Sequence, residues 1–355
     1  MPTQPSMRPM KGTEYLLELN REHSEHFKDH RNLRGQYRTL HPTEILALKC
    51  MDGRLNLPVM TQIEMGMISP LRNLGGKFDL GWPKLGDLLV QWVNYGISKG
   101  RPGLILVTYH YSRGDTHRGC RGFGYDTEGS QTYTRALKET FDGIYKGDGV
   151  YAIQVGIETD LDALILHGDD GSVIDLAELR APQTNVSEQL FSMLEKLYPR
   201  FPKRVLLDFL PLVEGNLAHI AEVRTLNRPI VEVEHKESVL AFGRGFDWLH
   251  LPNKALIIGP FDPEFKVAIE KAATIILENI DGDRVKANDG IVLLASAPFY
   301  KEGSEQRLAR ETARYLHDAA LSVINERVPK LMPYLERLVV TVDMDSRAFD
   351  LVDQQ

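Results

Sequence analysis

Cys50-Met51-Asp52-Gly53-Arg54 sets a thiol, a carboxylate and a guanidinium at alternate positions of one short segment. The only other cysteine, Cys120, closes the run His110-Tyr-Ser-Arg-Gly-Asp-Thr-His117-Arg-Gly-Cys120. Two thiolates and one imidazole make a three-ligand set for zinc that leaves a fourth position open. Thiolates suit zinc and lose their protons on binding it. A water in the open position needs an oriented acceptor. A carboxylate fixed by a guanidinium can accept its hydrogen bond, and the arginine keeps that carboxylate ionised and off the metal. Asp52 and Arg54 have those types. Zinc brings the pKa of the water toward ~7, giving hydroxide at neutral pH. Such a site suits attack on a small electrophilic carbon.

These residues need adjacent strand ends. The run 44–50 is apolar and of strand length, and 103–109 has the composition of a buried strand. In a parallel sheet, ligand sites lie beyond the carboxyl ends of strands. Both cysteines and the histidines near Cys120 therefore fall on one sheet edge. Between them, Leu85, Leu88, Leu89, Trp92, Val93 and Ile97 repeat at helical spacing. A helix is expected over 130–145 and a strand over 150–157. This alternation predicts an α/β fold with a largely parallel sheet. Upstream, His23, His26 and His30 share one face of a charged helix that ends at His41-Pro42, and they read as a solvated face rather than a metal clip.

The second half repeats the order, with strands at 254–258, 290–295 and 338–342 and helices at 264–279 and 304–326. Glu128-Gly129-Ser130 and Glu302-Gly303-Ser304 open corresponding helices. Val155-Gly-Ile-Glu-Thr-Asp160 matches Val340-Thr-Val-Asp-Met-Asp345, and Ala163 and Leu166 then match Ala348 and Leu351. The halves read as a duplication. Aligning Asp52 with Asp262 sets Pro260 opposite Cys50 and Glu264 opposite Arg54, and Ala297 falls opposite His110. No cysteine follows Cys120, so the second copy cannot build the site. The expected organisation is a helical arm (1–40), a zinc-binding catalytic domain (41–180), a linking segment (181–253) and a degenerate duplicate without metal (254–355).

Composition narrows the classes. The 355 residues are 43% hydrophobic and 26% charged, with 42 basic and 49 acidic side chains and a net charge of −7. A globular chain fits, and disordered, collagen-like and coiled-coil chains do not. The acidic balance argues against a nucleic-acid partner. No apolar run approaches the ~20 residues of a membrane span. Residues 1–12 are polar and proline-rich, unlike a secretory signal. Two cysteines fit a reducing, cytoplasmic compartment. Asp160 and Asp162 read as turn or pairing residues, His235 as a structural hydrogen bond, and Trp82, Trp92 and Trp248 as core or interface. The glycines at 119, 122, 124 and 129 lack the ending of a phosphate loop.

Cys-x-Asp-x-Arg with a histidine and cysteine after the next strand resembles the β-type carbonic anhydrases. Arg72-Asn73 and the helix–strand pair at 85–107 sit in that family's order. Tyr109 to Cys120, Gly156-Ile-Glu-Thr-Asp-Leu-Asp-Ala163 and the stretch from Glu234-His235 to Gly243-Arg-Gly-Phe-Asp-Trp-Leu-His-Leu251 look like the carboxysome shell branch, which pairs an active half with one that has lost its zinc. The resemblance covers roughly 40–355. It implies reversible hydration of CO₂ to bicarbonate by zinc-bound hydroxide. Cys50, His110 and Cys120 would be metal ligands, with Asp52 and Arg54 catalytic and His117 the alternative to His110. His117-x-x-Cys120 has the spacing of ordinary β-type enzymes, whereas His110 ends the buried strand. A homodimer or higher homo-oligomer is implied. Only about 40 residues precede the first catalytic strand and no basic shell-targeting segment is evident. A free cytoplasmic enzyme is therefore expected rather than a carboxysome resident. The rival readings are hydrolysis of a CO₂ analogue (COS or CS₂) and a non-catalytic zinc-binding regulatory or assembly protein.

Overall fold

The computed structural model describes residues 11–179, 185–226, 234–246, 249 and 254–354. Two helices open it, α1 (Gly12–Asp29) and α2 (Arg31–Leu40). The apolar runs then become strands β1 (Glu44–Cys50), β2 (Ile68–Asn73), β3 (Gly103–Tyr111), β4 (Val150–Glu158), β5 (Ala163–His167) and β6 (Val173–Asp175). They form one sheet in the order β2-β1-β3-β4-β5-β6. The first four are mutually parallel, and β5 and β6 add antiparallel strands at one edge. A short helix α3 (Leu57–Met60) follows the β1 exit.

Helices α4 (Pro83–Ser98) and α5 (Thr127–Ile144) cover one face. There Leu85, Leu89, Leu137 and Phe141 pack on Leu46, Leu48, Ile105 and Val107. On the other face, Ala47, Leu104, Leu106 and Ile157 share a core with Leu194 of α6 (Val186–Leu197) and Phe209 and Leu212 of α7 (Lys203–Leu226). Strands this hydrophobic on both sides are what a sheet covered on two faces requires.

The second sheet holds β7 (Val239–Gly243), β8 (Ala255–Ile258), β9 (Ile291–Phe299), β10 (Leu335–Asp343) and β11 (Phe349–Gln354) in the order β11-β10-β9-β7-β8. Read from its β8 edge, this is the β2-β1-β3-β4-β5 order again. Its connecting helices are α8 (Phe265–Asp281) and α9 (Ser304–Arg327). The topology repeats, as the sequence matches predict.

The register differs from the sequence alignment. The strand at 254–258 is β8, an edge strand equivalent to β2. The counterpart of β1 is β7, which lies within the span read as a linker. Leu46 and Leu48 face α4 and α5, while Leu240 and Phe242 of β7 share a core with α8 and α9. Leu48 pairs with Val107, and Phe242 pairs with Ala295. Arg244 therefore stands opposite Cys50 and Pro298 opposite His110, in place of Pro260 and Ala297. Two matching bonds fix the β3 register independently: Thr159 N to Tyr111 O and Met344 N to Phe299 O, both 2.9 Å. Neither Arg244 nor Pro298 offers a thiolate or an imidazole.

The sheets abut at the edge carrying the candidate site. Ile257 N donates to Met51 O at 3.0 Å, and Gly259 N to Arg72 O at 2.8 Å. A side chain at Gly53 would put its Cβ 2.7 Å from Ala255 O, so this close approach needs glycine. Among the described residues, no helix is long and apolar enough to cross a membrane.

Candidate metal centre

β1 ends at Cys50 and its neighbour β3 carries His110, so parallel pairing alone sets the two side by side. The chain leaves β3 through a tight turn (Thr116–Arg118), and Cys120 caps a second one (Arg121–Phe123). That returns the second thiol to the first. The two Sγ atoms are 4.0 Å apart. The ligand atoms of Cys50, His110 and Cys120 all lie within 4.8 Å of one another, and the three residues are buried. His110 is 1% exposed, and neither of its ring nitrogens has a hydrogen-bond partner. A buried imidazole unsatisfied at both nitrogens is costly unless something else bonds to it. This group could hold a metal ion.

Cys120 donates to Cys50, and that contact is the main reason the Cys50 thiol sits well below its ordinary pKa. Burial opposes it and His110 assists it. The same contact, with burial, pushes the Cys120 thiol up. One proton of the pair is thus already loosened, as thiolate ligation requires.

Asp52 and Arg54 form a buried fork. Arg54 Nε donates to Asp52 Oδ1 at 2.9 Å and Nη2 to Oδ2 at 2.6 Å, and the Arg54 backbone N–H adds a bond to Oδ1 at 2.9 Å. Burial would raise the Asp52 carboxyl. The Arg54 charge and hydrogen bonds outweigh it and hold the group far below the usual carboxylate range. Asp52 Oδ2 lies 3.9 Å from His110 Nε2, so the ionised acceptor borders the ligand group. Below the loop, Arg72 donates to the carbonyls of Asp52 (3.3 Å) and Leu55 (3.0 Å), and Lys49 Nζ donates to Leu55 O at 2.7 Å. Lys49, Arg54 and Arg72 therefore pin this one turn.

No family model and no curated protein matches the chain. The chemistry of the site is carried by its geometry.

The five residues of the sequence motif come together, while His117 does not join them. Its side chain is 81% exposed, 3.3 Å from Asp115 and against the Tyr125 ring. The loop is long enough to reach solvent and return, and the histidine sits at its outer turn. Asp160 accepts from Ser112 and from Gly114 N, and Asp162 takes φ 55° at the β4–β5 turn, as turn residues should. Trp82 donates to Pro260 O across the junction, Trp92 lies against Gly103, and Trp248 lies outside the described residues.

Two further residues arrive from the second unit. His235 Nε2 is 3.4 Å from Arg54 Nη2 and 4.0 Å from Asp52 Oδ2, and its Nδ1 is 2.9 Å from Glu237 Oε1. Burial would lower the His235 pKa, but the charges of Glu237 and Asp52 outweigh burial and Arg54 and raise it. The sequence assigns His235 only a structural hydrogen bond, and Glu237 carries no sequence signal. The histidine is 181 positions from Arg54, so no local spacing ties them.

Proposed function

We propose that this chain is a zinc-dependent carbonic anhydrase of the β type, interconverting CO₂ and water with bicarbonate and a proton. The observation that carries the reading is the buried Cys₂His group bordered by a carboxylate that a guanidinium grips at both oxygens. A thiolate and imidazole donor set matches zinc better than magnesium or calcium. A purely structural site would close its fourth position and would have no use for an oriented acceptor beside it.

Cys50, His110 and Cys120 would hold the ion. Bound there, zinc supplies a water acidified to near-neutral pKa. Asp52 accepts a hydrogen bond from the nucleophile and so fixes its lone pair toward the substrate carbon. Arg54 occupies both Asp52 oxygens and keeps the carboxylate from turning onto the metal. His235, touching Asp52 and Arg54 on one side and Glu237 on the other, would take up the released proton. The repeated sheet unit supports a second role: it closes the catalytic loop as a second subunit would.

Stopped-flow CO₂ hydration by the zinc-loaded protein tests the proposal. Turnover that disappears in Asp52→Asn with zinc still bound is expected. Background rates at both neutral and alkaline pH would reject it.

A further inference from the structure

The arm holds a second cluster of metal-binding side chains. His26 and His30 are four positions apart, at the end of α1 and at the junction with α2, and their rings are 3.8 Å apart. Both face Glu64, in the turn after α3. His30 Nδ1 is 3.1 Å and His26 Nε2 4.0 Å from the same oxygen, Glu64 Oε1. One ligand atom from each residue fits within a 4.8 Å span.

We propose that His26, His30 and Glu64 form a second divalent transition-metal site, separate from the buried thiolate centre and independent of the catalytic reading. Two histidines at this spacing present a ready chelate on one helical face, and His₂Glu is a three-ligand set that zinc takes with a water. Ligand atoms about 2.1 Å from a tetrahedral ion lie ~3.4 Å apart, and the two distances to Glu64 bracket that value. Arg34 Nη1 lies 3.8 Å from that same oxygen, Glu64 Oε1. Its guanidinium is stacked over the Phe27 ring at 3.4 Å and donates to Phe27 O, so it is held by Phe27, and an ion would compete with it for Glu64 Oε1. The side chains of His26 and His30 are 50% and 36% exposed, which leaves room for an ion and its waters.

The position suits an ion that clamps the arm. Leu16 of α1 packs on Val292 and Leu294 of the second sheet, and Asn20 bonds to Arg347 O and Phe349 N. The far end of the same arm meets the 61–67 turn of the first unit, where Gly66 lies directly against Phe27. An ion on His26, His30 and Glu64 would lock an arm that already spans both units.

Equilibrium dialysis against Zn²⁺ tests this. The wild-type chain should take up two equivalents and Cys50→Ser/Cys120→Ser one. His26→Gln/His30→Gln should also take up one, with CO₂ hydration and its kcat unchanged from wild type. Glu64→Gln should weaken the second equivalent by more than the ~10–100-fold that loss of an outer partner costs. Saturating the second equivalent should raise the unfolding midpoint of wild type and leave that of His26→Gln/His30→Gln unmoved. The proposal is overturned if the double histidine variant binds as much zinc as wild type, or if the second equivalent binds only above millimolar Zn²⁺. Should the thiolate centre bind no zinc, the cysteine variant still reports on the histidine site alone.

Discussion

Arg54→Met tests the fork most directly. Methionine keeps much of the apolar stem and deletes the charge. Asp52 and Arg54 side chains are 5% and 4% exposed, so water cannot replace the lost partner. Stripping one member from a buried ion pair costs ~3–5 kcal/mol, because the remaining charge is uncompensated. The backbone N–H of residue 54 still donates to Oδ1, which places the loss near the lower end, about 3 kcal/mol. The effect on rate should be at least comparable with the effect on folding. Released from two side-chain bonds, Asp52 no longer holds one orientation, and Oδ2 begins only 3.9 Å from His110 Nε2. A carboxylate that turns onto the metal closes the open position. Zinc at the thiolate centre should therefore be retained while CO₂ hydration falls at least ~100-fold, the range of a lost positioned acid or base. Arg54→Lys keeps the charge without the two-toothed geometry, and it should recover stability more than rate. The assays are urea unfolding, zinc content and stopped-flow hydration on the same preparations. A stability loss under ~1 kcal/mol together with hydration within threefold of wild type would refute the assigned role of the fork.

Three other outcomes follow from the geometry. His110→Ala should empty the buried centre of zinc and His117→Ala should leave it filled, since only His110 faces the thiols; elemental analysis of both, with the arm histidines replaced, decides it. His167, held down to about 4 by burial first and by the Arg135 charge second, should make stability depend on pH. The unfolded chain binds that proton near pH 6.5 and the folded chain does not, so stability should be full above ~6.5 and fall toward pH 4 by about 2–3 kcal/mol. His167→Gln should flatten that slope in urea titrations, and an unchanged slope counts against it. His235→Ala should lower turnover ~10–100-fold in weak buffer with little change in zinc content, and imidazole should restore it. Failure of imidazole to restore the rate would leave His235 a structural role only.

The candidate centre is largely readable because most of it is local. Cys50, Asp52 and Arg54 leave one strand end within five residues, and His110 and Cys120 lie at the end of and just beyond the next strand of the same composition. Parallel pairing of β1 with β3 then brings them together. The alternative ligand His117 could be set aside only once the loop's outer turn was visible. The repeat was readable in outline, and its register was not. β7 is five residues long and its sequence runs on into a glycine- and aromatic-rich stretch, so nothing in the periodicity marks it as the twin of β1. The better-spaced 254–258 run took its place in the alignment although it is an edge strand. His235 and Glu237 escaped for a different reason. Their contacts with the fork are made by packing of the two sheet units, and sequence spacing carries no trace of such a contact. Glu64 likewise stands 34 positions from His30.

The second unit is better understood as part of the candidate centre than as a spare copy. Its strand β8 donates from Ile257 N to Met51 O, and Gly259 N caps Arg72 O on the arginine that holds the loop carbonyls. Glu278 grips Arg121, the residue after Cys120. Asn279 Nδ2 binds the Glu237 carbonyl, which sets the carboxylate that meets His235. Each contact comes from a backbone or side-chain position that needs no thiol or imidazole, so these roles require no metal ligands in the second unit. Arg244 now stands where a first ligand would, with Ser296 Oγ bonded to its carbonyl, and Pro298 replaces the strand-end histidine. The two units thus meet at one candidate centre. The first supplies the donor atoms, and the second supplies backbone closure and the histidine–glutamate pair beside the fork.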